Sequence, residues 1–174
     1  TSVPCGENST SAVYVTPVGI VKSAASFVVA LLAVGTLNTT LSDYPTHTGC
    51  VFTYLLDSDS RSADALGRAG FDVMSVATNH IKNCGMNDCG DRAFLETLEN
   101  LRAANILPVG AGDNLAEAAQ PVVVTVQGVR FGFVSLGQIE PMAFAGEDTP
   151  GIAVLTEDSL REAIEAAREV ADVV

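Results

Sequence analysis

"SRSADALGRAGFDVMSVATNH", residues 60–80, decides how the rest of the chain is read. Its first half is helical in character: Ala and Leu recur, and Gly70 stands where a helix end calls for a residue that tolerates a left-handed backbone. Its second half, "FDVMSVAT", is almost continuously apolar, which suits a strand covered on both faces. A helix, a tight turn and a buried strand make one step of an α/β domain. In such folds ligands gather beyond the carboxyl ends of the strands. Asn79 and His80 stand at that point.

Working outward, "GDRAFLETLENLRAANI" predicts an amphipathic helix, with Phe94, Leu95, Leu98, Leu101 and Arg102 at 3/4 spacing and Asp91 in the first turn, where it favours the helix dipole. "LPVGAG" predicts a short strand and turn, and "DNLAEAA" a helical turn capped by Asp113 or Asn114. "PVVVTVQGVRFGFVSL" predicts a hairpin around Gln127 and Gly128. "GQIEPMAFAGEDTPG" is read as a loop, and "TEDSLREAIEAAREVAD" as a final helix capped by Thr156. The closing "ADVV" reads as the start of a strand cut short.

Toward the N-terminus, "AVYVTPVGIV" (residues 12–21) reads as a strand. The next stretch splits into a helix to about Leu31 and a strand through Leu37. Residues 38–60 read as mostly loop, with a short strand over residues 50–56. The expected organisation is a loose arm over residues 1–11 and one α/β domain over residues 12–174. Its sheet is mixed and largely parallel, covered by helices, and reads as truncated at the C-terminus.

The chain has 174 residues with 9 Lys and Arg against 21 Asp and Glu, a net charge of −12. That surface repels phosphate backbones and anionic lipid, so no nucleic-acid partner is expected. The longest apolar run, residues 24–37, falls short of the roughly 20 residues needed to span a bilayer. The chain opens "TSVPCGENST" without Met, which reads as a processed or trimmed N-terminus.

Four cysteines allow three pairings into two disulfides. Cys84 with Cys89 is the easiest closure, leaving Cys5 with Cys50 to tie down the arm; four free thiols is the competing reading. The sequons at Asn8 and Asn38 are compatible with an exported, glycosylated chain.

Three places could carry chemistry. Asn79 and His80 could supply an amide oxygen and an imidazole to a divalent metal, or simply cap a helix and bond the backbone. "VGAGDN" could offer backbone N–H groups to an anion, but a glycine-requiring turn is the simpler reading. "TLNTTLSD" places Asn38 and Asp43 after another apolar strand. His47 reads as a surface residue. No Ser/His/Asp order and no Cys/His zinc spacing occurs.

In their order, "ADALGRAGFDVMSVATNHIKNCG", "FLETLENLRAANILPVGAGDNLAEAAQPVVV" and "GVRFGFVSLGQ" resemble the capsule-biosynthesis CapA family. That family is named for poly-γ-glutamate capsule synthesis and is related in fold to the calcineurin-like metallophosphoesterases. The resemblance implies a metallophosphoesterase-like fold with a divalent-metal site built from strand ends. It implies a hydrolase-type reaction on a phosphoester or amide-like bond, with Asn79 and His80 in catalytic positions and Asn38, Asn79 and His80 as the metal set. The family's Asn-Asn-His falls on Thr78, Asn79 and His80. Its Gly-Asn-Leu-Glu falls on Gly35, Thr36, Leu37 and Asn38, so an amide replaces the family's carboxylate. Its opening Gly-Asp falls on Gly19 and Ile20, where the Asp is absent. The resemblance therefore carries two expectations. One is an exported or surface domain of capsule assembly with a metal-dependent site. The other is a non-catalytic extracellular module that binds capsule polymer or polysaccharide, or associates with itself as a homo-oligomer.

Overall fold

The structure, a computed structural model, describes residues 15–20, 32–44, 56–82, 84–85, 88–89, 91–139 and 141–174. The expected arm, the helix before Leu31, the strand over residues 50–56, and Cys5, Asn8, His47 and Cys50 lie outside these residues.

Four strands form the central sheet: β1 (Val15–Ile20), β2 (Ala33–Leu37), β5 (Val73–Ser75) and β8 (Leu107–Val109), in the order β1-β2-β5-β8. β1 runs antiparallel to β2, and β2, β5 and β8 are parallel. The sheet is thus mixed and largely parallel, as the sequence predicts. β5 sits between two partners, and Val73 and Met74 within it are fully buried. The strand is three residues long rather than the eight expected. Beyond it the Thr78 N–H bonds back to the Val76 carbonyl at 2.8 Å, and this turn swings the chain out of the sheet.

Two helices cover this sheet's core. α1 (Arg61–Arg68) buries Ala63 and Leu66, and Gly70 beyond it has φ +89°, the left-handed residue its position calls for. α2 (Asp91–Ala103) buries Ala93, Phe94, Thr97, Leu98 and Leu101; of the stripe predicted from 3/4 spacing, Phe94, Leu98 and Leu101 are buried, Leu95 is half-buried and Arg102 is exposed. The Thr97 hydroxyl donates to the Ala93 carbonyl and accepts from the Leu41 N–H at 2.8 Å. It thereby ties α2 to β3 (Thr40–Leu41), which pairs in parallel with β4 (Asp57–Ser58). These two short strands replace part of the loop expected over residues 38–60.

A hairpin of β6 (Cys84–Gly85) and β7 (Asp88–Cys89) precedes α2, with Cys84 directly opposite Cys89. After β8 come β9 (Ala111–Gly112) and α3 (Leu115–Ala118). Asn114, not Asp113, is the cap: its side chain accepts from the Glu117 N–H at 2.9 Å. β10 (Val122–Val126) and β11 (Val129–Phe133) form the expected hairpin. Gln127 at φ 51° and Gly128 at φ 84° supply the left-handed pair that a two-residue hairpin turn needs.

The stretch read as a loop after residue 136 contains a 3₁₀ turn, Pro141–Ala143, and leads to β12 (Gly151–Ile152), which pairs antiparallel with β9. α4 (Glu157–Val170) starts with Thr156 and Ser159 in a reciprocal capping box. Beyond α4, Val173 bridges Phe131 in parallel, so the closing residues, read as the start of a strand, form one isolated bridge beside β11. Arg130 fastens this junction, and its hydrogen bonds hold the Asp172 carboxyl down at about 2. Among the described residues no helix is long and apolar enough to cross a membrane.

Candidate functional site

A cavity of about 480 Å³ opens beyond the carboxyl ends of β2 and β5. This is where a parallel sheet leaves room for a ligand. Thr36 and Asn38 line it from the end of β2, and Ala77, Thr78 and Asn79 from the turn after β5. The facing wall runs from Leu136 through Gly137 and Gln138 to Ile139.

Each wall is fixed by bonds the local sequence supplies. The Thr78 hydroxyl donates to the Leu37 carbonyl at 2.7 Å, which joins the two strand ends. Asn38 Oδ1 accepts the His80 backbone N–H at 3.0 Å. Because an N–H can only donate, the amide oxygen must face His80, and the Asn38 NH₂ is left to donate elsewhere. The facing wall is held by Gly137, whose N–H bonds the Ala153 carbonyl and whose carbonyl accepts the Leu155 N–H, each at 2.8 Å. Below the cavity the Ser75 and Ser135 hydroxyls meet at 2.7 Å and join the two walls. A Cβ on Gly137 would come within 2.8 Å of the Ala77 carbonyl oxygen, so only glycine lets the walls approach this closely.

Lys82 is nearly enclosed, with a side chain 5% exposed. Its Nζ lies 2.7 Å from Asp91 Oδ1, donates to the Pro150 carbonyl at 2.7 Å and sits 5.9 Å from the Phe94 ring centroid. One ammonium thus ties the turn that carries Asn79 to the start of α2 and to the segment entering β12, which backs the facing wall. Lys82→Met removes both bonds and leaves the Pro150 carbonyl without that donor. The expected loss is about 1–3 kcal/mol of stability in urea unfolding, because Asp91 is half exposed and can turn to water. A loss below about 0.5 kcal/mol would show that the ammonium is not a staple.

Of the residues singled out from sequence, the fold brings Asn38 and Asn79 into one cavity. His80 joins them through its backbone: its half-buried imidazole is outside the lining and makes no hydrogen bond among the described residues. Asn38 also belongs to a sequon, but in the folded chain its amide oxygen accepts from the His80 N–H, and Thr39 and Thr40 are buried. The "VGAGDN" stretch proves to be the tight turn, with Gly110 at φ +87° against Ser135. Asp43 instead accepts from the Ser60 N–H and hydroxyl, and these bonds lower its carboxyl below the usual range. Thr36, which the family resemblance places at an Asn position, lines the cavity beside Asn38 and Asn79. Leu136, Gln138 and Ile139 also line it, and their one signal in the sequence is their place at the end of the apolar run "FVSL".

Among the described residues, the side chains lining the cavity are hydroxyls, amides and apolar groups, without a charge among them. A hydrolytic divalent cation needs several anionic or imidazole ligands to hold it and to acidify its water. Among the described residues no three His, Cys, Asp or Glu side chains stand close enough to share an ion. These described donors do not fit such a metal.

A mixed, largely parallel sheet with helices on it and a cavity at its strand ends defines an α/β domain of the metallophosphoesterase-like kind. The family model described as bacterial capsule synthesis protein PGA_cap matches residues 13–174, and the chain belongs to that family. It is also similar to the capsule biosynthesis protein CapA of Bacillus anthracis, 29% identical over 117 residues. That match covers 66% of this chain and 27% of the relative, so the chain spans about a quarter of the relative's length.

Proposed function

We propose that this chain is an exported or cell-surface domain of capsule synthesis whose strand-end cavity binds a polymer or its building unit rather than hydrolysing it. The observation that carries this reading is the neutral lining, with Asn38 at the position where the family resemblance places a carboxylate. An amide there can hold a polar ligand by hydrogen bonds, but it brings no negative charge to a cation.

Elemental analysis after dialysis against Mn²⁺ and Zn²⁺ tests the reading. The chain is expected to retain well under one ion per molecule. Asn38→Asp, which keeps an acceptor for the His80 N–H and adds a charge, is expected to retain more than the parent does. In a capsule-producing cell, the full-length protein carrying Asn38→Ala with Asn79→Ala is expected to lose capsule at unchanged protein level. One ion per parent chain, lost on His80→Ala, would falsify the binding reading and restore a metal-dependent hydrolase with His80 as ligand.

A further inference from the structure

We propose that Thr78 is a positioning residue for the cavity: its hydroxyl, bonded to the Leu37 carbonyl, fixes the backbone from which Asn79 lines the site. This rests on the binding reading above and adds to it a residue that acts through another.

Asn79 and His80 are the two central residues of a turn that runs from Thr78 to Ile81. The Ile81 N–H closes it on the Thr78 carbonyl at 3.5 Å. That bond is long for an N–H donor, so the turn's place depends on what grips it from outside.

Three contacts grip it. The Thr78 hydroxyl donates to the Leu37 carbonyl at 2.7 Å, and the His80 N–H donates to Asn38 Oδ1 at 3.0 Å. Ile81 is fully buried in the core. The two bonds run in one sense: the turn donates both, and the end of β2 accepts both. They fall on either side of Asn79, which therefore stands between two anchors. The bonds differ in what they reach. The one from His80 ends on the Asn38 side chain, which can rotate. The one from Thr78 ends on the backbone of β2, so it is the bond that sets the turn's place against the sheet.

Threonine suits this task. Its branched side chain has few χ1 rotamers, so the donor is held once the backbone is set. Its N–H is already bonded to the Val76 carbonyl at 2.8 Å, which leaves the hydroxyl to reach β2. Asn38 and Asn79 line one cavity from the two elements that this hydroxyl joins. A ligand that bridges the two amides needs them at one separation. A turn already in place spares that ligand the entropy of ordering it.

Thr78→Val keeps the branched shape and removes the donor. NMR of this variant is expected to show the Leu37 carbonyl carbon moved upfield and His80 N–H exchange quickened roughly tenfold, the effect of one lost hydrogen bond. Exchange in the β10–β11 hairpin is expected to stay at the parent rate, which separates a displaced turn from a weakened fold. Thr78→Ser returns the donor and is expected to restore both signals. In a capsule-producing cell, the full-length protein carrying Thr78→Val is expected to lose capsule at unchanged protein level, and Thr78→Ser to keep it. Parent-like His80 exchange in Thr78→Val overturns the positioning role. Equal capsule loss in the Val and Ser variants overturns it as well, because the hydroxyl is then not what the site needs. Capsule kept by Thr78→Val but lost by Asn38→Ala with Asn79→Ala overturns the positioning role and leaves the binding reading standing. Capsule kept by both overturns both.

Discussion

Gly110→Ala is expected to destabilise the domain by about 3 kcal/mol, a fall of roughly 6–12 °C in Tm for a chain of this size. Two costs add. The backbone at φ +87° is one that L side chains rarely adopt. An added Cβ would also sit 2.4 Å from the Ser135 carbonyl oxygen and 2.9 Å from the Ala77 Cβ. Neither neighbour can retreat easily. Ser135 is tied to Ser75 through their hydroxyls, and Ala77 lies between two residues of the cavity turn. Gly128→Ala is the control, because that glycine has φ +84° and open space around its Cβ position. It should cost about 1 kcal/mol, the conformational term alone. The difference between the two variants in urea unfolding measures the close approach. Equal losses would mean the walls are not pressed together at Gly110. The same variant should shift amide signals at Ala77 and Gly137, because the displaced Ser135 belongs to the facing wall.

This contact shows which parts of the molecule were legible in the sequence. α2, α4 and the β10–β11 hairpin could be read because each carries a repeated or chemically specific signal: a 3/4 apolar stripe, a Thr156–Ser159 cap, a Gln127-Gly128 turn. β3, β4, β9 and β12 could not be, since two residues are too few to display any period. They exist because long-range pairing fixes them, as with β9 and β12, whose partners lie 39 residues apart in the register Gly151↔Gly112.

The site divides along the same line. Asn38 and Asn79 follow apolar strands, so position along the chain marks them. Gln138 reaches the cavity only because the Gly137 backbone is captured by Ala153 and Leu155, and nothing local announces that. The sequence marks His80 by its imidazole, whereas the bond it makes among the described residues is through its N–H, a group every residue but proline carries. Residue type alone could not have revealed that role. The neutral character of the site was legible, however, because Thr36 and Asn38 replace the Asn and the carboxylate of the family pattern.

Phe94→Ala should be the most damaging single change, with a loss of about 3–5 kcal/mol. Among the described residues Phe94 is the largest of the fully buried side chains, and it belongs to the same core cluster as Leu37, Met74 and Ile81. Removing the ring deletes apolar contacts and leaves a cavity that α2 cannot close, because the Thr97 hydroxyl holds the helix against Leu41. Phe94→Leu keeps most of the volume and should cost only about 1–2 kcal/mol. The consequences reach the functional cavity through Lys82, whose ammonium lies over this ring. With the ring gone, that ammonium loses one wall of its enclosure, and the turn bearing Asn79 loses part of its support. In Phe94→Ala, amide exchange should therefore quicken at residues 77–82 while the β10–β11 hairpin stays protected, since Arg130 and Asp172 fasten it separately. Uniform loss of protection across both regions would mean that the cavity turn and the hairpin unfold as one unit. A stability loss below about 1 kcal/mol would mean that the core does not close around Phe94.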